Sequence, residues 1–264
     1  MRFFYHFFRG VEDGPPLTLF SPIHLGVLGL AVIIIFLIAR YNDELRSNGR
    51  AKLGAKICAY TLLLSQIIKY VWDFSTGHFS VDQSLPFFPC RIAVWLLIVA
   101  VLFDVEAAWP LGCCWGALGG FIAPILADPY PFSWPHFTNI EFFLTHFFML
   151  FLILFKIIAD QPNFSKKTLR QLMSLTNLFL IVSWIVNLVL LRQGMHETNY
   201  AYLVSPPDFL SALRIQPPVY TILLAGVYNV VVVLCFGIFK LVCSRYYYHT
   251  YKLAELAYKD EFYE

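Results

Sequence analysis

Charge is what this chain has least of. Only 14% of its 264 residues are Asp, Glu, Lys or Arg, while 59% are hydrophobic and 18% aromatic. A soluble domain carries roughly 25% charged and 45–50% apolar residues, so this apolar excess exceeds what a water-facing surface can absorb. The net charge of +2 gives no basis for a polyanionic partner, and no nucleic acid is expected. The six cysteines, Cys58, Cys90, Cys113, Cys114, Cys235 and Cys243, include no CxxC spacing and no accompanying His cluster. That excludes a zinc site and a disulfide framework; no metal and no cofactor is expected. The opening MRFFYHFFRG lacks the small-residue cleavage site of a signal peptide and reads as an interfacial segment. No internal repeat and no low-complexity linker interrupts the chain.

What is present is long apolar runs. Spanning the hydrocarbon core takes about 20 residues, and seven segments meet that length: 22–40, 55–73, 85–103, 109–127, 140–159, 170–191 and 217–242. Runs such as Val32 to Ile38 do not alternate, which excludes a β-barrel. The expected fold is all-α, a polytopic bundle of seven transmembrane helices forming one membrane domain over residues 1–245, with a cytoplasmic tail over 246–264. Thirteen of the 19 basic residues lie at the first-to-second and fifth-to-sixth connections and in the tail. The positive-inside rule then puts the N-terminus outside and the C-terminus in the cytoplasm of a multi-pass cell-membrane protein. Glycines at 112, 116 and 120 read as a close-packing seam without chemistry.

Embedded polar residues gather towards the outer side of that topology. The second span ends in Gln66, Lys69 and Asp73; the third begins Pro89-Cys90-Arg91; the fifth begins with Glu141, Thr145 and His146; the first begins with His24. Loops on the same side carry Asp128, His136, Asn199, Tyr200 and Tyr202. Ionisable groups at membrane depth are costly and commonly line a wet cavity. Lys69 and Asp73, at i and i+4, can equally satisfy one another. Cys90 stands in the first turn of a helix, after a proline and beside Arg91, where a thiolate is favoured. Cys90 and His146 on neighbouring helices make either a nucleophile–base pair or a buried thiol beside a hydrogen-bonded imidazole.

The blocks SPIHL (21–25), LPFFPCR (85–91), GGFIAPILADPYPFSWPHF (119–137), FFLTHFFM (142–149) and TNYAYLVSPP (198–207) resemble the YwaF-like integral membrane proteins of bacteria. That family is similar to eukaryotic transmembrane acyltransferases that move acyl chains between ether phospholipids, and more distantly to androgen-induced fatty-acid-ester hydrolases. The resemblance implies a catalytic Cys90 and His146 acting on a membrane lipid near the outer leaflet. Arg91 or Lys69 then holds a headgroup phosphate, Asp73 lines the substrate site with them, Asp128 and His136 support those residues or touch the headgroup, and Asn199, Tyr200 and Tyr202 close the cavity and donate to the oxyanion. Whether the acyl acceptor is water or a second lipid stays open. One departure stands out: the bacterial pattern has His two residues before the Cys and Asp after it, where this chain has Phe88 and Arg91. The alternative is a non-catalytic membrane subunit that binds a lipid or small molecule within a transporter or envelope-assembly complex, with a membrane protein as partner.

Overall fold

Prolines, hydroxyl caps and glycines divide the apolar runs into helices. The computed structural model describes all residues except 1, 15–16, 128–129, 163, 207–216 and 262–264. Nine helices and no strand occur among the described residues: α1 (Arg2–Phe7), α2 (Pro22–Arg40), α3 (Asn42–Ser47), α4 (Arg50–Thr76), α5 (Pro89–Leu102), α6 (Trp109–Ile125), α7 (Phe137–Asp160), α8 (Lys166–Arg192) and α9 (Val219–Glu261). Ser21 caps α2 by accepting from the His24 amide, and Ser165 caps α8 by accepting from the Thr168 amide. Each such cap satisfies an amide that the helix itself leaves without a partner. Gly77, at φ 77°, ends α4 in the left-handed conformation that glycine adopts at low cost.

Among the described residues, six helices are long and apolar enough to cross a membrane: α2, α4, α6 with its short lead-in, α7, α8 and the first 30 residues of α9. The expected third span over 85–103 is shorter than the apolar run suggests. Only Pro89–Leu102, 14 residues, is helical, about 21 Å at 1.5 Å per residue. Pro86 and Pro89 are the cause, because a proline disfavours helical geometry in the residue before it, and Phe88 is accordingly extended at φ −92°, ψ 142°. At the other extreme, α9 continues unbroken through the expected tail boundary at residue 245.

The helices alternate in direction. Gly54 of α4 meets Phe155 of α7 while Ser65 meets Glu141, so α4 and α7 run antiparallel. Gly112, Gly116 and Gly119 of α6 descend along Leu96, Leu97 and Cys90 of α5, which is antiparallel as well. A Cβ at Gly120 would lie 2.9 Å from the His146 carbonyl oxygen and closer still to Leu150. The seam is therefore a packing device, and Gly119 belongs to it with the three glycines that the spacing points to. The main core comprises α4, α5, α6 and α7 around Leu62, Leu97, Cys113, Met149 and Leu152. Meanwhile Ile33, Leu64, Ile181 and Leu234 are more than half exposed on the outside, as expected of a lipid-facing surface. One end of the bundle carries Cys90 and His146, and the other carries Lys156, which pairs with Asp160 at 2.6 Å.

Candidate functional site

Cys90 owes its position to the two prolines that delay α5. With Pro89 as the first helical residue, Cys90 and Arg91 occupy the next two positions, where amide N–H groups have no intrahelical acceptor. The Cys90 side chain leaves the helix in that same first turn. Its Cβ packs on α6 opposite Gly119, where any added Cβ would lie 3.1 Å away. The Arg91 guanidinium donates to the Gln83 carbonyl and lies over the Phe88 ring at 5.4 Å. It thus braces the loop entering α5.

His146 is buried on α7 one turn below Phe142. Its Nδ1 lies 2.7 Å from the Phe142 carbonyl oxygen; a carbonyl only accepts, so Nδ1 carries the proton and Nε2 keeps a lone pair. That Nε2 is buried and has no hydrogen-bond partner among the described residues. The imidazole is therefore held in the tautomer and orientation of a base, with its accepting nitrogen unused. Cys90 and the His146 backbone border consecutive glycines of α6, Gly119 and Gly120, but no hydrogen bond joins thiol to imidazole.

Polar side chains between α4 and α7 form two groups. Lys69 donates to both oxygens of Asp73, at 2.5 and 2.6 Å, and to the Tyr130 hydroxyl at 3.3 Å. Its ammonium also lies 4.6 Å from the Tyr130 ring centroid and 5.6 Å from that of Trp72. Of the two alternatives for this pair, mutual satisfaction is what the geometry contains. Deeper along α7, Glu141 Oε1 accepts from Ser65, Gln66 and Thr145. Ser65 has no distinguishing signal in the sequence; its role depends on facing Glu141 across the helix pair. His24 is fully buried, its Nδ1 accepting from the Phe20 amide and its Nε2 donating to the Pro124 carbonyl.

The loop after α8 covers the start of α5. Tyr200 is buried; its hydroxyl donates to the Val81 carbonyl at 2.6 Å and accepts from the Leu85 amide at 3.0 Å, and its ring meets Phe88 edge-on at 5.3 Å. The Asn187 side chain brackets the Tyr200 backbone, donating to its carbonyl at 2.9 Å and accepting from its amide at 2.8 Å. Tyr228 and Thr221 of α9 donate to the carbonyls of Ala201 and Leu203. Within this clamp Ala201 and Tyr202 have φ of 53° and 56°, left-handed values that side-chain-bearing residues adopt only when surroundings enforce them. Asn199 closes its own loop, its oxygen accepting from the Val204 and Ser205 amides and its nitrogen donating to Ser205. Tyr202 packs on Phe88 at 5.5 Å. Asn199 and Tyr200 thus hold the loop, and the amides of Cys90 and Arg91 are the free donors of the turn that carries the thiol. A proline at the first helical position is the sequence signal for such free amides.

His136 is engaged away from Cys90. Its Nε2 donates to the Arg9 carbonyl at 2.9 Å, its Nδ1 accepts from the Thr138 amide, and its ring stacks on Phe132 at 3.9 Å. Arg9 in turn binds Asp13 at 2.7 Å and Ser133. These contacts fasten the N-terminal segment over the α4–α7 end. Burial favours the neutral form of His136 and lowers its pKa, while the Arg9 guanidinium holds the Asp13 carboxyl well below the usual carboxylate range. Asp128 lies outside the described residues.

A family model matches residues 19–241, α2 through most of α9. The chain belongs to the TMEM164 family. Membership of this transmembrane family, together with the six long apolar helices, makes the protein a multi-pass membrane protein. No curated protein and no solved structure matches it. Cys90, His146, Glu141 and the Tyr200 loop all lie inside the stretch that the TMEM164 family model covers.

Proposed function

We propose that this protein is a lipid acyl-transfer enzyme in which Cys90 is the nucleophile and His146 the base. The sulfur attacks a lipid ester carbonyl, a C–S bond forms, and the alkoxide leaves with the proton that His146 Nε2 took from the thiol, giving a thioester on Cys90. The developing oxyanion is met by the amides of Cys90 and Arg91, donors already fixed by the α5 backbone. Water as acceptor makes the overall reaction a hydrolysis, and a lipid hydroxyl makes it a transfer. The observation that carries this reading is the buried Nε2 of His146, which has no partner among the described residues, because an unused acceptor in an apolar interior costs free energy and the thiol proton, once passed to it, removes that cost. The resemblance of LPFFPCR and FFLTHFFM to the bacterial and eukaryotic proteins supports the same pair. Catalytic hydrogen bonds commonly tighten only when substrate binds, so the thiol and imidazole need not touch beforehand.

In the same reading α5 makes a seventh crossing, since it runs antiparallel to α6. The basic residues place the Cys90 end at the outer leaflet and the C-terminus in the cytoplasm. Membrane lipid is the substrate. The test is labelling with an activated acyl or fluorophosphonate lipid probe, followed by peptide mapping. Label is expected on Cys90, abolished by Cys90→Ala and strongly reduced by His146→Ala; lipid turnover unchanged in both variants overturns the reading.

A second reading, a non-catalytic subunit that binds a lipid or small molecule beside a membrane-protein partner, rests on two features: no hydrogen bond joins Cys90 to His146, and Phe88 and Arg91 stand where the bacterial pattern that the chain resembles has His and Asp. Stoichiometric co-purification of a membrane protein, together with a bound lipid that is never turned over, selects it.

A further inference from the structure

The end of the bundle opposite Cys90 holds charges that acyl transfer does not use. Gly54 of α4 lies against the Phe155 ring of α7, which brings Lys52 and Lys56 to the level of Lys156. These three lysines, with Asp104 and Asp160, line a cavity of about 20 Å³. Lys156 is only 6% exposed. Its ammonium has three N–H donors, yet among the described residues it forms one hydrogen bond, to Asp160 Oδ2 at 2.6 Å. Glu106 Oε1, at 3.9 Å, is too far to accept another. The same ammonium lies 5.4 Å from the Trp109 ring centroid, and the Trp109 indole N–H is itself buried without an acceptor among the described residues. The unmet buried groups here are donors, so the group that fits them is an acceptor.

Charge narrows the choice of acceptor. Lys52 and Lys56 stand one turn apart on α4, and like charges at that spacing repel. Neither forms an ion pair or hydrogen bond among the described residues. Three lysines against two aspartates leave the lining with a net charge of +1, which a phosphodiester's single negative charge balances. Water fills the same space but leaves that charge uncompensated. A cavity of this size admits one oxygen-sized group, so one phosphoryl oxygen enters towards Lys156 and the others stay at the rim with Lys52 and Lys56, which are exposed. The neighbouring surface points to a lipid as the source. Leu53, Ile57, Tyr60 and Leu64 continue along α4 from the two lysines, each more than half exposed. Acyl chains attached to a bound phosphate lie along that row; a free phosphate makes no use of it.

We infer that the cavity between Lys52, Lys56 and Lys156 is a phosphate-binding site, filled by the headgroup of an anionic phospholipid in the leaflet at that end of the bundle. Basic pockets between membrane helices are suited to such headgroups. Lys156 supplies the buried donors, held in place by Asp160, and Lys52 and Lys56 clamp the phosphate from the rim. The site lies at the opposite end of α4 and α7 from the polar groups around Lys69 and Glu141, and it stands whether or not Cys90 and His146 are catalytic.

The experiment titrates the full chain in neutral detergent micelles with phosphatidylglycerol, with diacylglycerol of the same chains, or with millimolar inorganic phosphate. Retained lipid is counted by native mass spectrometry, and affinity is read from the rise in melting temperature. One phosphatidylglycerol per chain is expected to be retained, and no diacylglycerol. Lys52→Gln with Lys56→Gln is expected to weaken phosphatidylglycerol binding about 30-fold, from the contribution of each basic residue beside an anionic lipid. Lys52→Arg with Lys56→Arg, which keeps both charges, should retain it. Lys166→Gln with Lys167→Gln, at the start of α8, should bind as the unsubstituted chain does. Protection by inorganic phosphate alone, lost in the Lys52→Gln, Lys56→Gln variant, supports the phosphate site with free phosphate as its source. Unchanged phosphatidylglycerol affinity in that variant, equal retention of diacylglycerol, or an equal loss in the Lys166→Gln, Lys167→Gln variant overturns the inference.

Discussion

Replacing Asn187 by Ala removes both hydrogen bonds that hold the Tyr200 backbone, at 2.8 and 2.9 Å. Asn187 and Tyr200 are both fully buried, so water does not replace the lost partners. Each backbone group left unsatisfied costs about 1–3 kcal/mol, which puts the gross loss at about 4 kcal/mol. Freed from the clamp, Ala201 or Tyr202 can leave its left-handed conformation, returning about 1 kcal/mol. The net loss is then about 3 kcal/mol. At about 2–4 °C per kcal/mol for a chain of this size, the melting temperature should fall by about 6–12 °C, measured by tryptophan fluorescence in micelles. Proteolysis should become faster within residues 196–206, where the loop loosens. Asn187→Asp, which keeps the acceptor for the Tyr200 amide and loses the donor, should fall between the two. A melting temperature within about 2 °C of wild type, with the loop equally protected, refutes the reasoning.

Gly120→Leu drives a side chain against the His146 carbonyl and Leu150, and overpacking of this kind costs about 1–3 kcal/mol or more; Gly226→Leu, in open space, should be nearly silent in the same melting assay. Asp73→Asn strands a buried ammonium at Lys69 and should cost about 3–5 kcal/mol, whereas Lys69→Met with Asp73→Leu should recover most of it. Acid should loosen the N-terminal segment. The pKa of His136 is lowered in the folded state, so the stability it contributes is complete above its ordinary value near 6.5 and declines as pH falls below that. The pKa of Asp13 is likewise lowered, by Arg9 first; its contribution is complete above the ordinary carboxylate value and is lost on further acidification. Amide protection in residues 3–13, measured as exchange relative to the intrinsic rate at each pH, should therefore fall as pH drops from 7 to 3, and Asp13→Asn should remove the lower part of that dependence. A flat profile in the unsubstituted chain contradicts the assignment.

The membrane class and six of the spans were legible because an apolar run of about 18 residues or more is too long for an ordinary core helix and matches the thickness of a bilayer. The gathering of polar groups at one end was legible for a related reason: charges in lipid are rare enough that their positions stand out. Less could be read of how those groups divide. Lys69 and Asp73 carry the same four-residue spacing whether they pair or diverge, and only the packing of Tyr130 and Trp72 decides it. His136 fastens Arg9, a partner 127 positions away that no local pattern connects to it. Asn187 looks like one more polar residue near a helix end, and its importance depends on a loop 13 positions on. The shortness of α5 was written in Pro86 and Pro89, yet a hydropathy window averages across prolines and hides them.

That short helix has a consequence for the bilayer itself. At about 21 Å, α5 falls some 9 Å short of a hydrocarbon core of about 30 Å, while its neighbours α4 and α7 are long enough to span it fully. A mismatch of this kind is relieved by thinning the lipid or by drawing loop residues below the surface. On the reading that makes α5 a seventh crossing, the bundle wall there is a local dent in the membrane. Lipids beside it carry their glycerol backbones deeper than lipids elsewhere, and the rim of that dent is where Cys90 begins its helix.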